Sequence, residues 1–468
     1  MNRAAPLLEA RPTVREQQRE EGRTARVGAP RRVQGSWSPP PGRPDPIAVL
    51  EEQDRLRRAD LVPVRHGRMA ASAYAFYRGA AAIMAADLAG TPRSGLEVQV
   101  CGDAHLSNFG VFASPERRLL FDVNDFDETL RGPWEWDLKR LVTSVTIAAQ
   151  ELHAPQSAAQ EMAESCAATY RSAMHTFARR DPLQIWYARL TAPAIATAMG
   201  KVSTSARRQA QAGIARARRR TSLQAMSKLT VGGAGGLRFA SDPPVLVPVR
   251  ELLPESDAAR AGAEVRQFYE EYQDTLAEEH RYLLTRYELI DIAHKIVGVG
   301  SVGTRALVLL LLDKVRAQPL ILQCKEAGPS VLEAHLRPSP CPSSAHRVVN
   351  GQRMMQAASD LFLGWSVSPR DRRAYYWRQL RDMKGSVDLE AMSPAALAIH
   401  GRLCAWTLAR AHARTGSPVA IAAYLGKKPT FDKAMASFAQ AYAQQNTLDF
   451  RAHHQAIADG RLTASADR

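Results

Sequence analysis

Apolar positions recur at helical spacing through most of this chain. The repeat of three to four residues is clearest at 69–89, 156–179, 257–285, 392–413 and 431–445, which predicts helices with one buried face. Runs of strand length interrupt it at Val98–Cys101 and Leu119–Val123, and again within 291–385, where ALVLLLLD and PLILQCKEA are bounded by turn residues. The expected class is α+β and helix-rich, in four parts. An arm over 1–45 mixes arginine with proline and glycine and reads as disordered. A mainly helical lobe covers 46–290, a strand-containing lobe 291–385, and helices over 386–468 return to the first lobe.

At 468 residues and 45% hydrophobic, the chain can bury a large core in two lobes. No apolar run reaches the roughly 18 residues needed to span a bilayer, and the arginine-rich N-terminus has no apolar signal core. A cytoplasmic protein without membrane contact is the expectation. The five cysteines are scattered and lack C-x-x-C pairs, which argues against a disulfide framework and a cysteine zinc site. A net charge of +15 asks for an anionic partner, whether nucleotide, nucleic acid or anionic substrate. The run SARRQAQAGIARARRR at 205–220 reads as a basic helix, but it lacks interleaved aromatics, so nucleic acid is the weaker partner.

The chemistry concentrates in residues 101–137, as CGDAHLSNFG, FDVNDFDE and GPWEWDLKR. Asp103, Asn108 and Asp125 are the types phosphoryl transfer needs: one carboxylate to orient a hydroxyl, and an amide oxygen with a second carboxylate to hold Mg²⁺. Asp127 is a further candidate metal ligand. A loop could use one of these for capping but seldom needs all of them. His105 is a candidate catalytic residue whose blander role is to fix the loop by hydrogen bonding. Asp137, between Trp136 and Leu138, should be buried and hydrogen-bonded as structural support. In a rival reading, Asp103, His105, Asp125 and Asp127 hold the metals of a two-metal phosphoesterase, although the later histidines show no matching spacing.

Gly102-Asp103-x-His105-x-x-Asn108 resembles the catalytic loop of aminoglycoside and choline phosphotransferases, with Cys101 where that loop begins with histidine. Asp125-Phe126-Asp127 resembles their metal-binding Asp-Phe-Gly position, and Trp136-Asp137-Leu138 their buried bracing aspartate. The runs AYAFYRGAA, NDFDET, GPWEWDLKRL, QCKEA and RQLRDMKGS resemble a bacterial group catalogued as domain of unknown function family 2252, over about residues 45–460. The first resemblance implies a two-lobed protein-kinase-like fold that uses ATP and Mg²⁺ on a hydroxyl acceptor, a small molecule among the candidates. It also implies a phosphate loop and a lysine, for which Gly298, Gly300, Gly303 and Lys325 are the candidates. Kinases place these before the catalytic loop. Here they follow it, so the expected architecture is a circular permutation with the nucleotide lobe inserted after the catalytic loop. The acid that should pair with the lysine is missing from the best helix, which offers Gln352 and Gln356; Glu326 and Glu333 are substitutes. Two alternatives stay open: the glycines could open a dinucleotide-binding unit, and the cleft could be a pseudokinase-like module that binds nucleotide without transfer.

Overall fold

The computed structural model describes residues 13–465, except 202, 234–235, 244, 253–254, 296–301, 369–370 and 381–382. The elements that position the site begin with helices α1 (Val14–Gly28) and α2 (Ala73–Gly79), strand β1 (Glu97–Val100), the hairpin β2 (Phe109–Ala113) and β3 (Leu119–Val123), and β4 (Leu130–Pro133). Helices α3 (Trp134–Glu151), α4 (Gln156–Phe177) and the basic α5 (Thr204–Arg219) follow. Next come β5 (Leu246–Pro248), α6 (Glu255–Gln273), β6 (Tyr287–Lys295), β7 (Ala306–Asp313), β8 (Pro319–Ala327), α7 (Ser344–Met355), β9 (Gly364–Val367) and β10 (Ala374–Gln379). The chain closes with β11 (Gly385–Ser386), α8 (Pro394–Thr415), α9 (Pro418–Leu425) and α10 (Thr430–Ala458). The class is helix-rich α+β, and no helix among the described residues is long and apolar enough to cross a membrane.

The larger sheet is six-stranded and antiparallel, in the order β9-β10-β8-β7-β6-β5. Its centre explains the apolar run ALVLLLLD. Leu309 and Leu311 of β7 join one apolar cluster with Tyr272 and Trp377, while Val308 and Leu310 join another with Ile321 and Leu380. A strand covered on both faces has no polar alternation to show. This unit starts earlier than the expected boundary at 290. β5 already pairs with β6, and α6 brings Tyr272 into a stack on Trp377 with ring centres 4.6 Å apart. Periodicity marks α6 as having a buried face without saying which partner covers it.

The arm also differs from expectation. Residues 1–12 lie outside the described part, but 13–45 are held against the C-terminal helices. Thr13 and Glu16 form a reciprocal cap at the start of α1. Arg26 and Arg31 donate to the carbonyls of Tyr424 (3.0 Å) and Leu425 (2.6 Å) at the end of α9, groups that a helix terminus leaves unpaired. Arg43 bridges Asp87 and Asp449 at 2.7 and 2.6 Å. Composition suggested a disordered arm, whereas these arginines are clamps. The expected helix at 69–89 is broken as well, because the Ser72 side chain accepts from Ala75 N–H and starts α2 afresh.

The smaller sheet, β11-β2-β3 with Leu190–Thr191, carries the hairpin, and β1 pairs separately with β4. The end of α8 meets β1 although the two are distant in sequence. Gln99 N–H donates to Thr415 Oγ1 at 3.1 Å, and a Cβ on Gly416 would lie 2.5 Å from Val98 Cγ1.

Candidate functional site

Strand β1 runs directly into the 101–108 loop. Gly102 sits at φ +80°, and a Cβ there would lie 2.2 Å from the Glu128 carbonyl oxygen, so the turn needs glycine twice over. Asp137, in the first turn of α3, accepts from the N–H groups of Cys101 (2.8 Å) and Gly102 (2.9 Å). Its carboxylate also meets His412 Nε2 at 3.1 Å, and His412 Nδ1 meets the Tyr170 hydroxyl at 2.8 Å. A buried carboxylate with these partners fixes the loop to α3, α4 and α8.

Asp103 is held by Arg140, which lies one turn beyond Asp137 on α3 and pairs through Nε. Burial raises the Asp103 pKa, while Arg140 favours the charged form. His105 Nε2 lies 3.6 Å from the other Asp103 oxygen. Burial first, and Arg140 and Arg78 after it, hold the His105 imidazole well below its usual pKa, so it is neutral near pH 7. Its Nδ1 is enclosed with no partner among the described residues. Asn108 Nδ2 donates to the Asp103 carbonyl at 2.7 Å, which leaves Oδ1 as the acceptor of that side chain. The Asn108 carbonyl accepts from Asn124 N–H at 2.8 Å and so ties this loop to Asp125.

Burial would raise the Asp125 pKa, but Lys325, Arg378 and Lys384 outweigh it and hold the carboxylate ionised below its usual range. Lys325 pairs with Asp127, whose second oxygen accepts from the Tyr376 hydroxyl at 2.9 Å. The register of β8 against β10 puts Tyr376 directly opposite Lys325. Burial alone would lower the Lys325 pKa; Asp127, Tyr376 and Asp125 raise it instead. Arg378 and Lys384 both reach toward the Asn124 carbonyl, at 3.4 and 3.5 Å. Burial and the neighbouring Arg378 bring the Lys384 pKa down to about 7. Lys325, Arg378 and a Lys384 that titrates at about 7 thus surround two carboxylates.

The lysine partner comes from neither of the expected acids. Glu326 is engaged by Arg305 and Arg373, and Glu333 lies 3.7 Å from Arg347. Asp127, expected as a metal ligand, fills the role. Helix α7 instead supplies Arg347, which donates to the carbonyls of Thr129 (2.5 Å), Asp127 (2.9 Å) and Gly328 (2.8 Å). Gln356 Nε2 donates to the Val123 carbonyl at 2.6 Å. Both sets of bonds join the larger sheet's helix to the hairpin loop. Gly298 and Gly300 lie outside the described residues. Gly303, at φ +92°, is backed by the Arg57 side chain and accepts from Arg58 N–H at 2.9 Å.

Among the described residues, no three His, Cys, Asp or Glu side chains form a self-sufficient metal cage. Mg²⁺ does not require one, since it commonly takes one or two carboxylates and fills its shell with phosphate and water. The ionised Asp125 and the Asn108 Oδ1 fit that pattern. Sequence reading missed Arg140, Arg347, Tyr376, Arg378 and Lys384. Only Arg140 carried a local signal, its spacing of three from Asp137 on one helix face.

A family model described as an uncharacterised protein conserved in bacteria (DUF2252) matches residues 57–456. No curated protein and no solved structure matches the chain.

Proposed function

We propose that this chain, which belongs to the DUF2252 family, is an ATP- and Mg²⁺-dependent phosphotransferase with a circularly permuted kinase-like fold, acting on a hydroxyl acceptor. The observation that carries this reading is the meeting of Lys325 with Asp125 and Asp127, brought from strand β8 and from the loop after β3. The order β6, β7, β8 with Lys325, then α7, β9 and β10 is the order of a kinase nucleotide lobe. The permutation is supported by the contact of Thr415 and Gly416 with β1, where the helix that precedes a catalytic loop in space follows it in sequence.

In this reading Asn108 and Asp125 hold the metal, which would neutralise phosphate charge as ATP supplies the phosphoryl group. Lys325 exchanges Asp127 for phosphate oxygens, and Arg378 and Lys384 add positive potential beside them. Asp103 orients the acceptor hydroxyl, held in place by Arg140, while Asp137 keeps the loop rigid. The two-metal alternative has less support, because Arg140 already occupies an oxygen of Asp103.

Thermal unfolding with ATP, with and without Mg²⁺, tests this. A ligand at about 100 times its Kd stabilises the folded state by about 2.7 kcal/mol. A Mg²⁺-dependent rise in Tm is expected for the wild type and for Asp103→Asn, and none for Asp125→Ala or Lys325→Ala. A rise with Mn²⁺ alone would favour the phosphoesterase, and one with NAD the dinucleotide alternative.

A further inference from the structure

A cavity of about 290 Å³ opens beside the 101–108 loop. Ser107 of the loop lines it with Tyr74 and Arg78 of α2, Glu151 at the end of α3, and Asp388 and Glu390 after β11. The Tyr74 hydroxyl lies 3.2 Å from Ser107 Oγ and accepts from Ser107 N–H at 3.3 Å, so hydrogen bonds tie the cavity wall to the loop.

The charges in this cavity are not equivalent. Asp388 and Glu390 are exposed at the rim, where water and salt screen them. Glu151 accepts from Tyr74 N–H at 2.7 Å, tying the end of α3 to the first turn of α2, and Asp388 accepts from Ala391 N–H at 3.3 Å in a local turn, so both already have backbone partners. Arg78 lies deeper. Its Nε is enclosed and has no hydrogen-bond partner among the described residues, and its charge acts on both Asp103 and His105. A half-buried guanidinium whose Nε is cut off from water and unpaired favours a ligand that completes it. Its planar fork matches a carboxylate or a phosphate.

We propose that this cavity is the acceptor site and takes a small hydroxyl compound bearing a carboxylate or phosphate, with the anionic group on Arg78 and the hydroxyl toward Asp103. This rests on the phosphotransferase reading. The acceptor oxygen forms a bond to the γ-phosphorus of ATP as the bond from that phosphorus to the ADP oxygen breaks. The hydroxyl proton passes to Asp103, and ADP leaves.

Thermal unfolding of the full chain with D-glycerate and with glycerol 3-phosphate, and with ethanolamine as a cationic control, separates the outcomes. At least one anion should raise the midpoint of the wild type and not that of Arg78→Gln. Arg78→Lys, which keeps the charge without the fork, should need about tenfold more anion for the same shift. ATP with Mg²⁺ should still stabilise Arg78→Gln, which also shows that the variant is folded. Stabilisation by ethanolamine that is lost in Glu151→Gln would overturn the proposal, as would anion shifts that are absent or equal in wild type and Arg78→Gln. If the wild type responds to the anions through Arg78 but not to ATP and Mg²⁺, the phosphotransferase reading fails and the anion site stands. If ATP binds without an Arg78-dependent anion effect, the acceptor proposal fails alone.

Discussion

Burial pushes the Glu128 carboxyl up to about 7, although Val331 N–H at 2.7 Å and the nearby Arg347 favour its charged form. The unfolded chain returns it to about 4.3, so the folded state holds the extra proton between those values. Its contribution to stability is therefore complete below the lower value and is lost as pH rises through about 7. Glu128→Gln keeps the acceptor oxygen and removes the titration. It should gain about 1–3 kcal/mol over the wild type at about pH 8 and nothing at about pH 4, read from urea unfolding; an equal effect at both would contradict this origin. Asp137→Ala leaves two loop N–H groups and His412 without their acceptor and should cost about 3 kcal/mol or more. At this scale the sequence was most legible where chemistry is local. Asp103, Asn108, Asp125 and Asp137 lie within one short stretch, and the structure draws that stretch together. Tyr376 arrives through strand register and Lys384 through its place just before β11, which no local pattern encodes.

The closure of α8 onto β1 depends on the absence of a side chain at Gly416. Its backbone is extended, at φ −127°, so any residue can adopt it, and what opposes a substitution is the contact with Val98 and, more weakly, the Glu97 carbonyl 3.2 Å from the Cβ position. Gly416→Ala should cost about 1–3 kcal/mol. Adding Val98→Ala should recover part of that loss in a double-mutant cycle, and strict additivity would count against the contact. Helix and strand positions were largely readable from periodicity: β3 falls at Leu119–Val123 as expected, and α8 within two residues of its expected ends. The lobe boundary was not, because the partner of α6 is a sheet whose strands come later in the chain. Tyr272 and Trp377 reveal it only once they stack.

Across the whole molecule, positive charge proved a partial guide. Arg65, Arg140, Arg347 and Arg410 are buried, paired with carboxylates or carbonyls. Part of the +15 therefore holds the fold together and is not offered to a partner. The N-terminal segment makes the same point. Deleting residues 1–45 removes the Arg43 bridge and the donors to α9, so Tm should fall by several degrees, roughly 2–4 °C for each kcal/mol lost; an unchanged Tm would return the segment to a solvated arm. The +15 excess still leaves a basic α5 whose arginines are largely exposed, and it places Lys325 and Arg378, with the partly charged Lys384, around Asp125 and Asp127.

In the proposed function, ATP and its metal meet between Lys325 and the 103–127 loops. The most direct test is a crystal structure with a non-hydrolysable ATP analogue and Mn²⁺, the metal located by its anomalous scattering. Mn²⁺ is expected on Asn108 Oδ1 and the Asp125 carboxylate, with Lys325 released from Asp127 onto phosphate. Mn²⁺ seated on Asp103 and His105, or a nucleotide bound away from Lys325, would contradict it.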